Sequence, residues 1–165
     1  MAIKLDSPGP VIFRQFRKGF NGKQFMMFKF RTMTVQENGP AVVQATRDDP
    51  RLTSIGRLLR SASIDELPQL LNVLKGDMSI VGPRPERPSF VAQLTESIPY
   101  YGQRHVVKPG LTGWAQIRYT YGATVEDAVQ KLQYDLYYIK NLSLTLDLVI
   151  VIDTLKILIL RRGGR

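Results

Sequence analysis

The chain has 165 residues, 44% of them hydrophobic, a composition that suits one compact domain with its own core. It carries 23 Lys and Arg against 14 Asp and Glu, and a net charge of +9 favours anionic partners such as phosphates, anionic lipid or nucleic acid. Cysteine is absent and His105 is the only histidine. A disulfide framework and a zinc site built from Cys and His ligands are therefore excluded. A Ser-His-Asp triad would have to use that one imidazole.

The N-terminal part of the chain predicts a β-hairpin followed by a loop. Residues 1–10 are charged and lack an apolar core, so they predict neither a signal peptide nor a spanning helix. Apolar runs at residues 11–15 and 25–30 flank a segment rich in glycine and asparagine, which is typical of a hairpin. Residues 34–50 show no sustained periodicity and predict a loop.

The central and C-terminal parts of the chain show mostly helical periodicity. The predicted helices begin at Thr53 and at about Glu66, and three more cover residues 88–97, 125–140 and 143–160. A short buried strand is predicted at 78–81 and a Gly-rich turn at 109–114. The expected fold class is α+β, a compact and mostly helical single domain over residues 1–165 with a small β-hairpin or sheet.

The last predicted helix, residues 143–160, is apolar nearly all round but is interrupted by Asp147, Asp153 and Lys156. Each of these charges would cost about 2.5 to 3.5 kcal/mol at the centre of a bilayer, which argues against a spanning helix. Three arginines follow within residues 161–165, as expected for an amphipathic helix at a membrane interface. A core helix is the alternative, and the segment alone leaves both open.

The adjacent carboxylates Asp65 and Glu66 allow two local interpretations. Ser63 followed three residues later by Glu66 matches a capping box. Pro68 would then be the fifth helical residue, where its missing N–H breaks a needed hydrogen bond. If Asp65 is the N-cap, Pro68 falls at the third position, whose N–H has no intrahelical partner. The sequence therefore predicts Asp65 as the N-cap.

Cations surround this acidic pair in the sequence. Arg60 precedes Asp65 by five residues, Arg84 follows in a Pro-flanked turn, and Lys29 and Arg31 lie at the end of the hairpin. Carboxylates among fixed cations suit phosphoryl transfer, because Asp attacks phosphorus or holds Mg²⁺ while the cations neutralise the transferring oxygens. A structural cap and a solvated basic face are the simpler explanations of the same residues.

Five ordered blocks of sequence resemble one family, the monotopic bacterial phosphoglycosyl transferases that initiate exopolysaccharide, O-antigen and glycoprotein glycan assembly. The resemblance runs nearly end to end. The blocks are SPGPVIFRQ at 7–15, KFRTM at 29–33, RLTSIGRLLRSASIDELPQLLNVLKGDMSIVGPRP at 51–85, VKPGLTGWAQI at 107–117 and DLYYIKNLSLTLDL at 135–148.

The resemblance implies an enzyme of two steps at the cytoplasmic face of the bacterial inner membrane. Asp65 would attack the sugar-linked phosphate of a UDP-sugar, expel UMP and form a phosphosugar intermediate, from which undecaprenyl phosphate takes the sugar phosphate. Mg²⁺ is required in the family, and Asp65 would help to bind it, while Glu66 would organise metal or phosphate or transfer a proton. Lys29, Arg60 and Arg84 match family cations that line the phosphate site. The C-terminal half resembles members that load a hexose 1-phosphate, glucose or galactose.

One departure from the family and two other functions accompany this resemblance. Family members carry a re-entrant membrane helix just before Ser7, and the expectation is that this chain lacks it, whether as a trimmed catalytic domain or through loss. A basic nucleic-acid-binding domain would place Lys29, Arg57 and Arg60 on phosphates and stack aromatic residues on bases. No signature of RNA or DNA binding appears, so no nucleic-acid partner is predicted. The third possibility is an inactive interaction fragment.

Overall fold

The computed structural model describes residues 2–34, 49–119 and 124–160. It confirms the α+β class: short helices dominate, and two small sheets lie among them. The elements in chain order are α1 Ala2–Asp6, β1 Ile12–Lys18, β2 Gln24–Phe30, α2 Ser54–Ser61, α3 Gln69–Leu74, β3 Ser79–Val81, α4 Pro88–Ser97, β4 Gly110–Thr112, α5 Trp114–Arg118, α6 Val125–Lys140 and α7 Leu144–Ile159. The loop predicted after the hairpin lies almost wholly outside the described residues, as do the arginines beyond 160.

The predicted hairpin is confirmed. β1 and β2 pair antiparallel in a register that places Ile12 opposite Phe30 and Phe13 opposite Lys29. Asn21 and Gly22 turn the chain with φ of 51° and 68°, a left-handed conformation that these two residue types tolerate best. The register places Lys29 one residue before the end of β2.

The second sheet corrects the turn predicted at 109–114. Residues Gly110–Thr112 form β4, which pairs parallel with β3, Ser79 opposite Gly110 and Val81 opposite Thr112. A Cβ atom on Gly110 would collide with the backbone of Gly82, so the glycine permits a close approach of two backbone segments here. The same residue type suggested a turn when only the local sequence was considered.

The core contains two clusters, and α6 contributes a residue to each. One contains Val91, Ile98, Tyr101 and Leu132. The other contains Val81, Tyr138 and the fully buried Ile150 of α7. α6 begins at the predicted residue because Thr124 forms a capping box with Asp127.

α7 is only partly packed against this core. Its large apolar residues Leu144, Leu148, Ile152, Leu155 and Ile159 remain exposed. Within residues 2–34, 49–119 and 124–160, no helix is both long enough and apolar enough to cross a membrane.

Arg31, which the sequence grouped with the cations near the carboxylates, has a different position. Its buried guanidinium donates five hydrogen bonds to oxygens of residues 3–10, at 2.7 to 3.3 Å. Asp6, at the end of α1, accepts a hydrogen bond of 2.9 Å from the backbone of Ile55 at the start of α2. Arg31 therefore fixes the N-terminal segment against the domain.

Candidate active site

The two adjacent carboxylates lie in a 3₁₀ turn between α2 and α3. The turn covers Ile64–Glu66 and follows Ser63, whose φ of 54° is left-handed. Pro68 directly precedes α3, where its missing N–H breaks no helical hydrogen bond. This short turn therefore holds both carboxylates between α2 and α3.

Both capping interpretations of this segment are wrong. Ser63 makes no side-chain cap, and Asp65 lies inside the 3₁₀ turn rather than at the N-cap of α3. The physical reason is competition for the Glu66 carboxylate. Two cations, Lys29 and Arg84, bind it from distant parts of the chain, so it does not return to the backbone of Ser63.

Glu66 is the centre of a half-buried ion-pair network. Its Oε1 lies 2.7 Å from Lys29 Nζ and 2.7 Å from Arg84 Nη2, while Oε2 lies 3.5 Å from Arg84 Nη1. Burial opposes the charge of Glu66, but Arg84 and Lys29 outweigh it and hold the pKa of that carboxyl well below its usual range. Glu66 is thus ionised at neutral pH, and its oxygens are occupied by donors.

Asp65 has the opposite environment. It is 8% exposed, and its carboxylate has no hydrogen bond to any residue that the structure describes. Burial raises the pKa of Asp65, and Glu66 adds to this effect, while the charges of Lys29, Arg60 and Arg84 oppose it. Two neighbouring carboxylates whose pKa values are pushed apart are typical of a site that assigns them different tasks.

Three elements supply the cations around this pair. Lys29 comes from the end of β2, and burial lowers its pKa against the favourable charge of Glu66. Arg84 comes from the Pro-flanked loop after β3. Arg60, in the last turn of α2, donates a hydrogen bond of 3.0 Å to Thr32 Oγ1, and its charge acts on Asp65. The structure therefore brings together all five predicted site residues, with Arg60 linked to Asp65 through its charge.

A buried ion pair that the motifs did not reveal supports the Arg84 loop. Arg104 donates 3.0 Å to the backbone oxygen of Arg84 and 2.7 Å to Tyr101, and lies 2.7 Å from Asp135 of α6. Burial opposes the charge of Arg104, but Asp135 and Tyr101 outweigh it and raise the pKa of the guanidinium. The one available signal was Asp135 itself, a charge three residues from the core position Leu132.

The side chains fit Mg²⁺ only as a site completed by substrate. Among the described residues, no group of three or more His, Cys, Asp or Glu side chains could hold a metal ion. Glu66 is engaged with cations, whereas the carboxylate of Asp65 has no hydrogen bond to any described residue and is available as a ligand. Mg²⁺ often binds through one or two carboxylates together with substrate phosphates and water, and this arrangement is compatible with a single Asp.

Comparison with known proteins identifies the class to which this fold and site belong. An α+β domain that holds carboxylates among fixed cations offers a site for an anionic, phosphorylated substrate. The chain belongs to the bacterial sugar transferase family, whose model matches residues 1–161. This match confirms the resemblance found in the sequence motifs.

Of three curated relatives, two carry names of sugar phosphotransferases and the third is named for exopolysaccharide production. The chain is 53% identical over 156 residues to a UDP-glucose:undecaprenyl-phosphate glucose-1-phosphate transferase of Caulobacter vibrioides, covering 93% of this chain and 58% of the relative. It is 47% identical over 163 residues to a UDP-N-acetylgalactosamine-undecaprenyl-phosphate N-acetylgalactosaminephosphotransferase of Aeromonas hydrophila, covering 99% and 38%. It is 45% identical over 160 residues to the exopolysaccharide production protein PSS of Rhizobium leguminosarum bv. phaseoli, covering 93% and 80%. The chain thus spans only part of the length of the first two.

Proposed function

We propose that this chain transfers a sugar 1-phosphate from a UDP-sugar to undecaprenyl phosphate and releases UMP. The observation that carries the proposal is the contrast within one turn, where Asp65 has no hydrogen-bonded partner among the described residues and Glu66 is held by Lys29 and Arg84. The names of the relatives support this reaction class. Because those names include both glucose and N-acetylgalactosamine, the proposal covers a hexose or an N-acetylhexosamine.

Asp65 is the proposed nucleophile. One of its carboxylate oxygens attacks the phosphorus that bears the sugar, and the phosphoanhydride bond to UMP breaks, with its electron pair leaving on UMP. A phosphate oxygen of undecaprenyl phosphate then attacks the same phosphorus, and the bond to Asp65 breaks, which regenerates the carboxylate. Burial raises the pKa of Asp65, and a more basic carboxylate is a stronger nucleophile once it is ionised.

Glu66 is proposed to organise the site rather than to transfer a proton. Its carboxylate holds the ammonium of Lys29 and the guanidinium of Arg84 at 2.7 Å from one oxygen, so two positive charges converge beside Asp65. Fixed cations of this kind stabilise the charge on transferring phosphate oxygens, because no reorganisation is needed when that charge develops. Arg60 adds a third charge from the end of α2.

We propose that Asp65 would hold Mg²⁺ when the diphosphate of the substrate is bound. When bound, the metal would neutralise charge on the diphosphate oxygens. Asp65 would then have two tasks, which its unengaged carboxylate permits. The cations of the site would hold the substrate phosphates independently of the metal.

A membrane surface is the proposed place of the reaction, at the cytoplasmic face of the bacterial inner membrane. The exposed residues of α7 and the exposed leucines of α3, Leu70, Leu71 and Leu74, are large and apolar. Apolar helix faces of this kind bind at the boundary between headgroups and acyl chains. Undecaprenyl phosphate, the acceptor in the name of the Caulobacter relative, is itself a lipid and would lie in the same membrane.

The decisive test is to trap the phosphosugar adduct on Asp65. The chain is incubated in lipid nanodiscs with Mg²⁺ and either UDP-glucose or UDP-N-acetylgalactosamine, and intact mass is measured before acceptor is added. We expect one added sugar phosphate with one donor, release of UMP, and loss of the adduct when undecaprenyl phosphate is supplied. Asp65→Asn should form no adduct, whereas the matched control Asp153→Asn, an aspartate of α7, should form it normally. UMP release that is unchanged in Asp65→Asn would refute the assignment.

A further inference from the structure

A small cavity opens beside the carboxylate turn. It is lined by Arg17, Met27, Lys29, Gln69, Arg84 and Pro85. Its volume of about 10 Å³ accommodates a single oxygen atom and little more. Two of its lining residues, Lys29 and Arg84, already belong to the candidate active site, while Arg17 and Gln69 have no assigned role.

Arg17 and Gln69 each bring a buried donor that lacks a partner. The amide nitrogen of Gln69, a residue only 2% exposed, and the Nε of Arg17 make no hydrogen bond to any described residue. A buried unsatisfied donor costs about 1 to 3 kcal/mol, so such groups are rare and are commonly explained by a bound water, an ion or a catalytic task. Both residues line the same cavity, so one group bound there could satisfy both donors.

The charges around the cavity indicate what kind of atom that partner is. The other contacts of Arg17 are long, 3.3 Å to the backbone oxygen of Pro85 and 3.7 Å to Glu86. Burial lowers the pKa of Arg17 to about 10, with the charge of Arg84 acting in the same direction and that of Glu86 against it. Three of the side chains around the cavity, Arg17, Lys29 and Arg84, are cationic, which favours an anion over a neutral water. An anionic oxygen only accepts, which suits four side chains that all carry N–H donors.

We propose that Arg17 and Gln69 form, with Lys29 and Arg84, a pocket that receives one phosphate oxygen of the substrate. The proposal rests on the proposed function, since it names two further binding residues for the same site. Two sources offer this chemistry, the diphosphate of a nucleotide sugar and the monophosphate of a polyprenyl phosphate. The experiment therefore uses pyrophosphate and UMP as probes for the first source and farnesyl phosphate as the probe for the second.

Binding is measured by calorimetry on the whole chain with pyrophosphate, with UMP and with farnesyl phosphate. Losing a hydrogen bond to a charged oxygen weakens binding by about tenfold or more. We expect that loss in Gln69→Leu and Arg17→Met for the probe whose oxygen occupies the pocket, and a partial recovery in Arg17→Lys. The matched control is Gln15→Leu, because Gln15 is 5% exposed and its amide nitrogen is likewise unpartnered among the described residues, yet it does not line the cavity.

A second measurement does not depend on how well the variants fold. In ¹⁵N-labelled wild-type protein, the side-chain amide signal of Gln69 should shift on titration with the binding probe, while that of Gln15 should not. Unchanged affinity in both variants, together with an unmoved Gln69 signal, would show that the cavity holds an ordered water only and would overturn the proposal. Weaker phosphate binding in the variants of a chain that releases no UMP from any UDP-sugar would refute the proposed function and retain the pocket.

Discussion

Replacing Glu66 with glutamine removes one negative charge from the network without changing the size of the side chain. Lys29 and Arg84 would then share a neutral amide oxygen in place of a carboxylate. Both cations are half-buried, so water replaces the lost counterion only in part. The variant therefore leaves two positive charges in a poorly solvated environment, and it reports on the network without reference to any substrate.

The expected loss of stability follows from the burial of the pair. Breaking a buried ion pair by removing one partner costs roughly 3 to 5 kcal/mol. The Arg84 side chain is 28% exposed, so solvent screens part of its charge and the lower end of that range applies. We expect Glu66→Gln to lower the free energy of unfolding at pH 7 by about 3 kcal/mol.

The difference between the two proteins should depend on pH. Because the folded-state pKa of Glu66 lies below the unfolded value of 4.5, its stabilisation is present above that value and is lost as the pH falls towards the folded-state pKa. One proton corresponds to about 1.4 kcal/mol per pH unit. Urea denaturation at pH 7.0, 4.5 and 3.5 should therefore show a gap that is about 0.4 kcal/mol smaller at pH 4.5 than at pH 7.0, and roughly 1.4 kcal/mol smaller at about pH 3.5.

The same substitution at an exposed glutamate is the control. Glu96 lies on the solvent side of α4, and Glu96→Gln should change the free energy of unfolding by less than about 0.5 kcal/mol. A gap below about 0.5 kcal/mol for Glu66→Gln at pH 7, or a gap that does not narrow in acid, would refute the argument that Glu66 carries a paired, buried charge.

Two further substitutions test the neighbouring charges. Asp65→Asn should raise the free energy of unfolding at pH 7, measured by urea denaturation, by up to about 1 kcal/mol, because burial disfavours the Asp65 charge and no hydrogen bond is lost. This gain in stability should vanish below the unfolded pKa of 3.8. A variant less stable than the wild type at pH 7 would contradict the prediction. Arg104→Met should lower the free energy of unfolding, measured by thermal denaturation, by about 3 to 5 kcal/mol, because it leaves Asp135 buried and unpaired. The double variant with Asp135→Leu should recover much of that loss.

Local signals were sufficient for most helices and for the hairpin. Thr53, Thr124 and Ser143 each cap a helix through their own side chains, so the starts of α2, α6 and α7 follow from residues within one turn. The left-handed turn of the hairpin likewise needs only the local Asn-Gly pair. For these elements, residues within four positions of one another determine the conformation, and the prediction and the structure agree.

Contacts between distant residues account for what the sequence did not predict. β4 exists because Gly82 and Gly110 let two backbones approach, and no local pattern encodes that pairing. Arg31 had the composition of a phosphate-binding residue, but its partners lie more than twenty positions earlier in the chain. Its role in fixing the N-terminal segment could be found only when that segment was placed in three dimensions.

In the turn that carries Asp65 and Glu66, local and distant contacts compete for the same carboxylate. Capping a helix would have stabilised the segment with one hydrogen bond to the backbone, worth about 1 kcal/mol. Glu66 instead makes two charge-assisted contacts, each worth about 1.5 to 3 kcal/mol, with residues 37 and 18 positions away. The distant contacts therefore determine the conformation, and they leave Asp65 buried with no hydrogen bond from any described residue to its carboxylate oxygens. The proposed division of tasks follows from this arrangement, because Glu66 holds the cations and leaves Asp65 as the proposed nucleophile.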